Sequence, residues 1–417
     1  MIRLNVLLRF DEKTIIPVGQ LAEDERQLYF QYDKDFLTKE LWLSPYKLPL
    51  KSELFEHKDR DFSPVFGLFD DSLPDGWGLL LMDRYLRKQG YDISALSVLN
   101  RLAFLGKNTM GALIYEPALD MIPGDKSAFD LHHLSIQSHD ILSGRTDDVL
   151  PQLMNAGGSP CGARPKVLVG VYHDNMVSGE TDLPEHFEHW IIKFLSLKDF
   201  PDAGPLEYAY SLMARDAGMN MTETRLFNTS QGDNFFGIKR FDRSGNKRFH
   251  AHTFGNLIHS NFRLPSQDYD HFFKVVINLT KNHSDLLRAF RQMVFNILAN
   301  NRDDHVKNFG FLMDHEGKWS LSPAYDLVYS PGPGGEHSMT VSGEGKAPAE
   351  TDIYKLSEKH GIRKKGAGLI LEQVSDAVNR FQTHALTAGV SKSTRNKINA
   401  IIKNNLNGLR RGGQIYV

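Results

Sequence analysis

The sequence is poor in cysteine and has no long apolar segment. Cys161 is its only cysteine, which excludes an intrachain disulfide and a cysteine cluster for zinc or iron–sulfur. No run of residues approaches the roughly 18 apolar residues that a transmembrane helix needs. The first residues, MIRLNVLLRFDE, place charged side chains within the apolar run, which argues against a signal peptide. We therefore expect a cytoplasmic protein without a membrane partner.

Excess charge of either sign is also absent. The chain has 49 Lys and Arg against 51 Asp and Glu, for a formal net charge of −2. This balance argues against a constitutive nucleic-acid binder with a basic face, although it leaves room for a local basic patch. What remains is an ordinary globular composition, with 41% hydrophobic and 24% charged residues over 417 positions. That length predicts two or three lobes.

The stretch NNRDDHVKN, residues 300–308, is the first candidate for catalytic chemistry. Asp303 and Asn308 stand as D-x-x-x-x-N, the spacing of the catalytic loop in kinase-like phosphotransferases. Such a loop places one carboxylate beside the attacking hydroxyl and one amide oxygen near a metal that bridges the nucleotide phosphates. The spacing is common by chance, so solvated turn carboxylates at Asp303 and Asp304 are the alternative interpretation.

The flanking segments favour the catalytic interpretation. Residues 284–299 form the clearest helix in the chain, with apolar residues recurring at spacings of three and four and Ser284 as its cap. After the loop, residues 309–313 and 319–321 predict a β-hairpin. This hairpin leads into the sequence SPAYD and would return Asp326 to the neighbourhood of Asn308, where a kinase has its second metal ligand.

A glycine-rich segment, GGSPCGARPK at residues 157–166, runs directly into the predicted strand 167–172. Backbone N–H groups in such a loop, together with Arg164 or Lys166, are suited to phosphate oxygens. The segment matches neither G-x-G-x-x-G nor the Walker pattern, and an exposed turn accounts for it equally well.

Lys193 lies in a predicted strand, HWIIKF, among large apolar residues. A buried lysine is costly unless an anion meets it, so Lys193 is the candidate phosphate-anchoring residue. A lysine on an edge strand that extends its amine to solvent is the alternative. Glu207, in the first turn of a predicted helix at 205–218, could pair with Lys193 or simply interact with the helix dipole.

The remaining elements are predicted from shorter patterns. Strands are expected at 4–10, 28–32 and 41–43, a helix at 79–87 with Asp75 as a plausible cap, and a strand leading to a hinge at 237–243. Residues 123–147 are polar and show little pattern, and helices are expected from about 352 onward.

Seven segments, in chain order, together resemble the HipA family of bacterial serine/threonine kinase toxins. They are FDDSLPDGWG, FLGKNTMGALIYEP, SPCGARPK, IIKF, KRFDR, DDHVKNFGFL and LSPAYDLV. Each segment alone is unspecific, but their order and spacing extend over nearly the whole chain and are highly specific.

The resemblance implies an α+β, kinase-like two-lobed fold. Its expected parts are a β-rich subdomain at 1–122, a β lobe with the phosphate loop at 123–250, and an all-helical lobe with the catalytic loop at 251–417. It also implies a protein serine/threonine kinase that uses ATP and Mg²⁺, phosphorylates itself, and acts as the toxin of a toxin–antitoxin pair. The implied partners are an antitoxin with a helix-turn-helix fold, through which alone DNA would be contacted, and a protein target such as an aminoacyl-tRNA synthetase.

The resemblance also implies roles for individual residues. Asp303 is the catalytic base, Asn308 and Asp326 are the metal ligands, and Ser159 is the autophosphorylation site in a loop that is ejected on modification. The implied nucleotide-binding set comprises Cys161, Gly162, Ala163, Arg164, Pro165 and Lys166 of the phosphate loop, Lys193 for the α/β-phosphates, the hinge Lys239, Arg240 and Phe241, and His305, Val306, Lys307 and Tyr325. Many relatives have glutamate at the position of Lys239, which a hinge acting through its backbone tolerates.

Two other functions are alternatives to the kinase. A kinase-inactive co-repressor acting with a DNA-binding antitoxin is the first, and the presence of Lys193, Asp303, Asn308 and Asp326 speaks against loss of activity. A metal-dependent phosphohydrolase is the second, but its chemistry needs His and carboxylates at ligand spacings. The 17 histidines of this chain are scattered.

Overall fold

The computed structural model describes residues 2–59, 61–119, 129–157, 162–179, 182–197, 199 and 201–412, with side chains up to residue 409. The described strands are β1 Ile2–Arg9, β2 Ile15–Asp24, β3 Gln27–Tyr32, β4 Leu54–Glu56, β5 Leu113–Glu116, β6 Lys166–Tyr172, β7 Asn175–Ser178, β8 Glu188–Lys193, β9 Thr224–Asn228, β10 Asn234–Lys239, β11 Arg243–Ser244, β12 Lys247–Arg248, β13 His250–Thr253, β14 Gln267–Asp268, β15 Gly310–Met313, β16 Trp319–Leu321 and β17 Met339–Thr340.

The described helices are α1 Lys34–Leu37, α2 Gly67–Asp70, α3 Gly76–Lys88, α4 Val98–Leu105, α5 Leu131–Leu142, α6 Pro151–Gly157, α7 Ala203–Asp216, α8 Phe254–Ile258, α9 Tyr269–Thr280, α10 His283–Leu298, α11 Glu350–Lys359, α12 Lys364–Asn379, α13 Phe381–Thr387 and α14 Lys392–Gly412. None of the helices in this part of the chain combines the length and the apolar character that crossing a lipid bilayer requires.

The N-terminal region is built on an antiparallel sheet with strand order β4-β3-β2-β1-β5. In β1, Leu4, Val6 and Leu8 alternate with more exposed residues, so one face of the sheet is buried, as the period of two requires. These residues join the larger hydrophobic core, which continues through helices α9 to α14.

A second antiparallel sheet has the order β7-β6-β8-β10-β9 and carries the candidate phosphate-binding residues. Trp190 and Ile192 of β8 point into a smaller core that also receives side chains from α3, α5 and α6. Lys193 follows Ile192 and therefore points to the opposite face, because successive strand residues alternate in direction. That face is lined by β8, β6 and β10 at the cleft.

The C-terminal region is mainly helical, and α10 is its most buried long helix. Phe290, Met293, Val294 and Leu298 are completely buried along it. The expectation of an all-helical lobe is corrected, because the three-stranded sheet β13-β15-β16 and the parallel pair β14–β17 lie within it. The predicted hairpin after the catalytic loop is β15–β16, with Phe311 opposite Leu321.

The mixed α+β fold is confirmed, whereas two local predictions are wrong. Residues 41–43 are not a strand, although Leu41 and Leu43 are buried as the apolar pattern suggested. Helix α10 is capped by Asn282, whose side chain accepts from the Ser284 N–H, so Ser284 lies inside the helix. The polar segment 123–147 contains α5, which Asp130 caps. The boundary expected at 122/123 falls outside the described residues, and the three-part division stays a prediction.

Candidate active site

The candidate catalytic loop follows α10 and is held by hydrogen bonds at both ends. Tyr210 in α7 donates its hydroxyl to the carbonyl of Ala299, 2.6 Å away. Asn308 donates through Nδ2 to the carbonyl of Asp303 at 2.7 Å, which closes the loop between the two residues. The D-x-x-x-x-N spacing therefore has a structural basis, and it leaves Oδ1 of Asn308 as the atom suited to a metal.

The carboxylate of Asp303 is accessible to solvent at the cleft, while most of its surroundings are protein. Burial raises the pKa of Asp303, and the negative charge of Asp326 raises it further. The charges of His305 and Arg164 act in the opposite direction without reversing the shift. A carboxylate with a raised pKa is a better proton acceptor than an ordinary one, which suits a general base.

Asp304 has a different environment from Asp303, because its side chain is completely buried. Its carboxylate accepts from the Tyr269 hydroxyl at 2.8 Å and from the Ser338 N–H at 2.8 Å. Nδ1 of His337 lies 2.9 Å from the same group. The interpretation of Asp304 as a solvated turn carboxylate is therefore wrong, and its contacts anchor the loop to α9 and to the segment before β17.

Lys193 is the centre of an ion-pair cluster between the two lobes. Its Nζ lies 2.6 Å from Glu207 Oε1 and 2.5 Å from Asp326 Oδ1. Burial alone would lower the pKa of Lys193, but the two carboxylates outweigh it and raise the pKa to about 12. The charge of Lys193 in turn holds the pKa of Asp326 well below its ordinary value. The predicted pairing of Lys193 with Glu207 is thus present, and the solvent-directed alternative is wrong.

Asp326 occupies an unusual backbone conformation, with φ of +55°. A left-handed conformation costs a residue other than glycine about 1–3 kcal/mol and is concentrated at functional sites.

The preceding Tyr325 donates its hydroxyl to the Lys307 carbonyl at 2.7 Å, so the end of the hairpin returns to the catalytic loop as predicted.

The described part of the phosphate loop begins at Gly162, since Ser159 and Cys161 lie outside the described residues. Gly162 has φ of +109°, a conformation that favours glycine, and Nζ of Lys166 lies 2.2 Å from the position that a Cβ would take. Arg164 lies 3.3 Å from Asp199 and 3.6 Å from Glu207. Ala163 and Pro165 complete this turn, whose cations lie on the same side of the cleft as Lys193.

The predicted hinge, residues 239–241, is bonded to its neighbours in the second sheet and adjoins the N-terminal region. The Lys239 N–H donates to the Glu223 carbonyl at 2.9 Å, and its carbonyl accepts from Thr222 Oγ1 at 2.6 Å. The Arg240 guanidinium is directed to Asp242, to which it donates at 2.9 and 2.8 Å. The hinge thus connects the second sheet to the N-terminal region, because the Gly111 N–H also donates to Asp242, at 2.7 Å.

An aromatic contact joins the hinge to the end of the hairpin. The Phe241 ring packs against Tyr325, with centroids 5.2 Å apart. Since the Tyr325 hydroxyl reaches the catalytic loop, Phe241 and Tyr325 form a wall between the hinge and that loop.

The other predicted residues of the catalytic loop point in three directions. His305 packs its ring 5.4 Å from Phe262. The side chain of Val306 is buried against Gly255 of α8 and faces the core. The packing is close, because a Cβ added at Gly255 would lie 2.6 Å from Cγ2 of Val306. Lys307 donates to Asp70 at 3.0 Å, a contact with the N-terminal region that no pattern in the sequence predicts.

The fold and these residues define a two-lobed, kinase-like α+β protein with an ion-paired cleft. A model of the HipA N-terminal domain matches residues 14–116, and a model of the HipA-like C-terminal domain matches residues 158–381. The chain belongs to the HipA family.

The chain is also similar to one solved structure and to two curated proteins. HipA of Shewanella oneidensis MR-1, solved with HipB and operator DNA, has a TM-score of 0.69 and 16% identity over 98% of this chain and 97% of that one. "Putative kinase Y4dM" of Sinorhizobium fredii is 25% identical over 213 residues, 46% of this chain and 50% of that protein. A "Putative kinase" of Haemophilus influenzae is 26% identical over 166 residues, 34% of this chain and 48% of that protein. The chain thus spans about half the length of the curated relatives it matches.

Proposed function

We propose that this chain is a serine/threonine protein kinase of the HipA type, dependent on ATP and Mg²⁺, and the toxin of a toxin–antitoxin pair. The observation that carries the proposal is the cluster in which Lys193 bonds both Glu207 and Asp326. Asp303 lies close enough to Asp326 for the charge of one to raise the pKa of the other. A phosphate-binding lysine, its orienting glutamate, a metal-binding carboxylate and a base are the parts that a kinase needs.

The donor set fits a magnesium nucleotide. Among the described residues, no group of three or more His, Cys, Asp or Glu could hold a metal ion by itself. Magnesium is usually bound through one or two carboxylates, with waters and substrate phosphates completing its shell. Asn308 and Asp326 would hold it here, and Arg164, Lys166 and Lys193 would face the phosphates. When bound, magnesium ATP supplies the phosphoryl group and neutralises charge on it.

The protein groups then have separate tasks. Glu207 holds the Lys193 ammonium where phosphate oxygens can accept from it. Asp303 orients the attacking hydroxyl and accepts its proton, a task that its raised pKa supports. The adenine would contact the Arg240 carbonyl and Phe241, because the backbone groups of Lys239 already bond to Glu223 and Thr222.

The same geometry weighs against the two other functions. Glu207 is 2% exposed beside a lysine at the cleft, which supports an active phosphate-binding site over an inactive co-repressor. A phosphohydrolase with its own metal centre needs a cluster of ligands that the described residues do not provide.

The partners follow from family membership. A helix-turn-helix antitoxin is proposed because the solved Shewanella relative was obtained with HipB and operator DNA. A near-neutral net charge of −2 supports DNA contact mainly through such a partner. Phosphorylation of Ser159 and of a translation factor such as an aminoacyl-tRNA synthetase are proposed from the resemblance to the family.

Nucleotide titration in the presence and absence of magnesium tests the proposed cofactor. We expect Asn308→Ala and Asp326→Ala each to weaken ATP binding about ten-fold or more with magnesium, because each removes a metal ligand. Without magnesium, Asn308→Ala should bind ATP like the wild type. An ATP affinity that is the same with and without magnesium, in the wild type and in both variants, would contradict the proposal.

A further inference from the structure

The loop between α2 and α3, residues 71–75, reaches the active site from the N-terminal region. Asp75 is the residue before α3 and was expected to cap that helix, but its side chain makes no capping hydrogen bond. Its Oδ1 instead accepts from the N–H of Gly162 in the phosphate loop. The carboxylate is therefore directed across the gap between the two segments.

Two further contacts bring the same segments together. The Trp77 N–H donates to the carbonyl of Gly162 at 3.1 Å, so both peptide groups of Gly162 are bonded to the start of α3. Gly76 has φ of +44°, and a Cβ there would lie 2.7 Å from the Cα of Ala163. The two backbones therefore touch, and glycine is required at position 76 for both conformation and space.

Asp75 also faces the catalytic loop. Its Oδ2 lies 3.8 Å from Nζ of Lys307, whose closer partner is Asp70 at 3.0 Å. Lys307 lies between Asp303 and Asn308 in sequence. One carboxylate from the N-terminal region thus contacts both the phosphate loop and the loop that carries the candidate base and metal ligand.

We propose that Asp75 is a positioning residue that holds the phosphate loop in register with the catalytic loop. The proposal rests on the proposed function, since it assigns Asp75 a task in ATP binding. Because Asp75 occupies the Gly162 N–H, phosphate contacts fall to the later part of the loop, Arg164 and Lys166. Loss of the carboxylate frees Gly162 and lets Arg164, which precedes β6, move away from Lys193.

The test compares three variants by amide hydrogen exchange without nucleotide and by MgATP titration. In Asp75→Ala, we expect exchange at Gly162 to accelerate and MgATP affinity to fall, each about ten-fold, because a hydrogen bond to a charged acceptor is lost. Asp75→Asn keeps an acceptor oxygen and should stay within about two-fold of the wild type. Asp83→Ala removes a carboxylate of α3 that pairs with Arg101 of α4; it is the matched control and should change neither readout.

Each outcome decides one part of the proposal. Unchanged exchange in Asp75→Ala would overturn the contact, and faster exchange with equal or tighter MgATP binding would overturn the positioning role. If the wild type binds no MgATP, the proposed function is wrong, and the exchange experiment alone decides whether Asp75 holds the loop. Should Asp75→Ala fail to fold, Asp75→Ser, which keeps a small polar residue before α3 but removes the carboxylate, should show the same two losses, whereas wild-type behaviour would overturn the proposal.

Discussion

Lys166 and Lys193 stand directly opposite each other on β6 and β8. Like charges at such positions destabilise a sheet, and Lys166 is only 7% exposed. The nearby carboxylate of Asp326 offsets this repulsion, since both lysines lower its pKa. Lys166 and Lys193 carry two positive charges, and the partly exposed Asp326 supplies one negative charge. A polyanion that binds here would neutralise the remaining positive charge.

Asp303 and Asp326 should respond to pH in opposite directions. Asp303 has a raised pKa, so its ionised form opposes folding above the ordinary carboxyl pKa of about 4. Asp303→Asn should therefore raise the melting temperature at pH 7, and the difference should vanish as the pH falls below that value. The same substitution should lower phosphotransfer by about 10²–10⁴-fold, the usual contribution of a positioned base.

Asp326 provides a control, because its pKa is shifted in the opposite direction to that of Asp303. Lys193 lowers its pKa, so its charge stabilises the fold above the ordinary carboxyl pKa, and this contribution is lost as the pH falls. Asp326→Asn should lower the melting temperature at pH 7. Thermal unfolding at neutral and acidic pH measures both effects, and shifts of the same sign for the two variants would contradict this electrostatic account.

Helix α7, which carries Glu207, is held at both ends by the C-terminal helices. At its start, Asp202 accepts from Ser391 Oγ at 2.5 Å and Thr394 Oγ1 at 2.7 Å. At its end, Asp216 accepts twice from Arg380, at 2.9 and 2.7 Å. The helix that orients Lys193 is thus fixed from the far side of the molecule.

Releasing both ends of α7 should weaken nucleotide binding without touching the cleft. We expect the double variant Asp202→Ala, Asp216→Ala to bind MgATP about three- to ten-fold more weakly, because partly exposed hydrogen bonds contribute about 0.5–1.5 kcal/mol each. Asp140→Ala, which breaks the ion pair between Asp140 of α5 and Arg145, is the control. Wild-type affinity in the double variant would mean that α7 does not depend on these contacts.

Asp71, His252 and Ser44 form a hydrogen-bonded series of side chains that has a structural role. Asp71 lies 2.5 Å from Nδ1 of His252, and Nε2 of His252 lies 3.0 Å from Ser44 Oγ. This order of groups resembles a hydrolase triad, but Ser44 is completely buried and cannot meet a substrate. The contacts instead connect the N-terminal loops to β13, which pairs with β15 of the catalytic hairpin.

Elements with strong local patterns could be predicted from the sequence. The periodic apolar face of α10, the β15–β16 hairpin and the lysine within β8 each left a signal in a short window. Contacts between distant segments left none. Asp304 meets His337 across 33 residues, and Asp75 meets Gly162 across 87, so no local pattern distinguishes these groups from ordinary turn residues.

At the scale of the whole molecule, the candidate site is assembled from all three regions of the chain. The N-terminal region contributes Asp70 and Asp75, the second sheet contributes Lys193, and the C-terminal region contributes the catalytic loop. The larger hydrophobic core extends from the N-terminal sheet to α14. Contacts at the candidate site therefore join all three regions.

The central claim is that the chain transfers a phosphoryl group from ATP to a protein hydroxyl, with Asp303 as the base that accepts the proton of that hydroxyl. The most direct measurement is intact-mass analysis of the purified chain, and of proteins in a cell extract incubated with it, after addition of ATP and magnesium. Peptide mapping then locates the modified residue. We predict phosphate on serine or threonine with the wild type, Ser159 of the chain included, and none with Asp303→Ala or without magnesium. Phosphate at another position would remove the role of Ser159 only, whereas no transfer by a wild type that binds MgATP, or transfer by Asp303→Ala at the wild-type rate, would contradict the account.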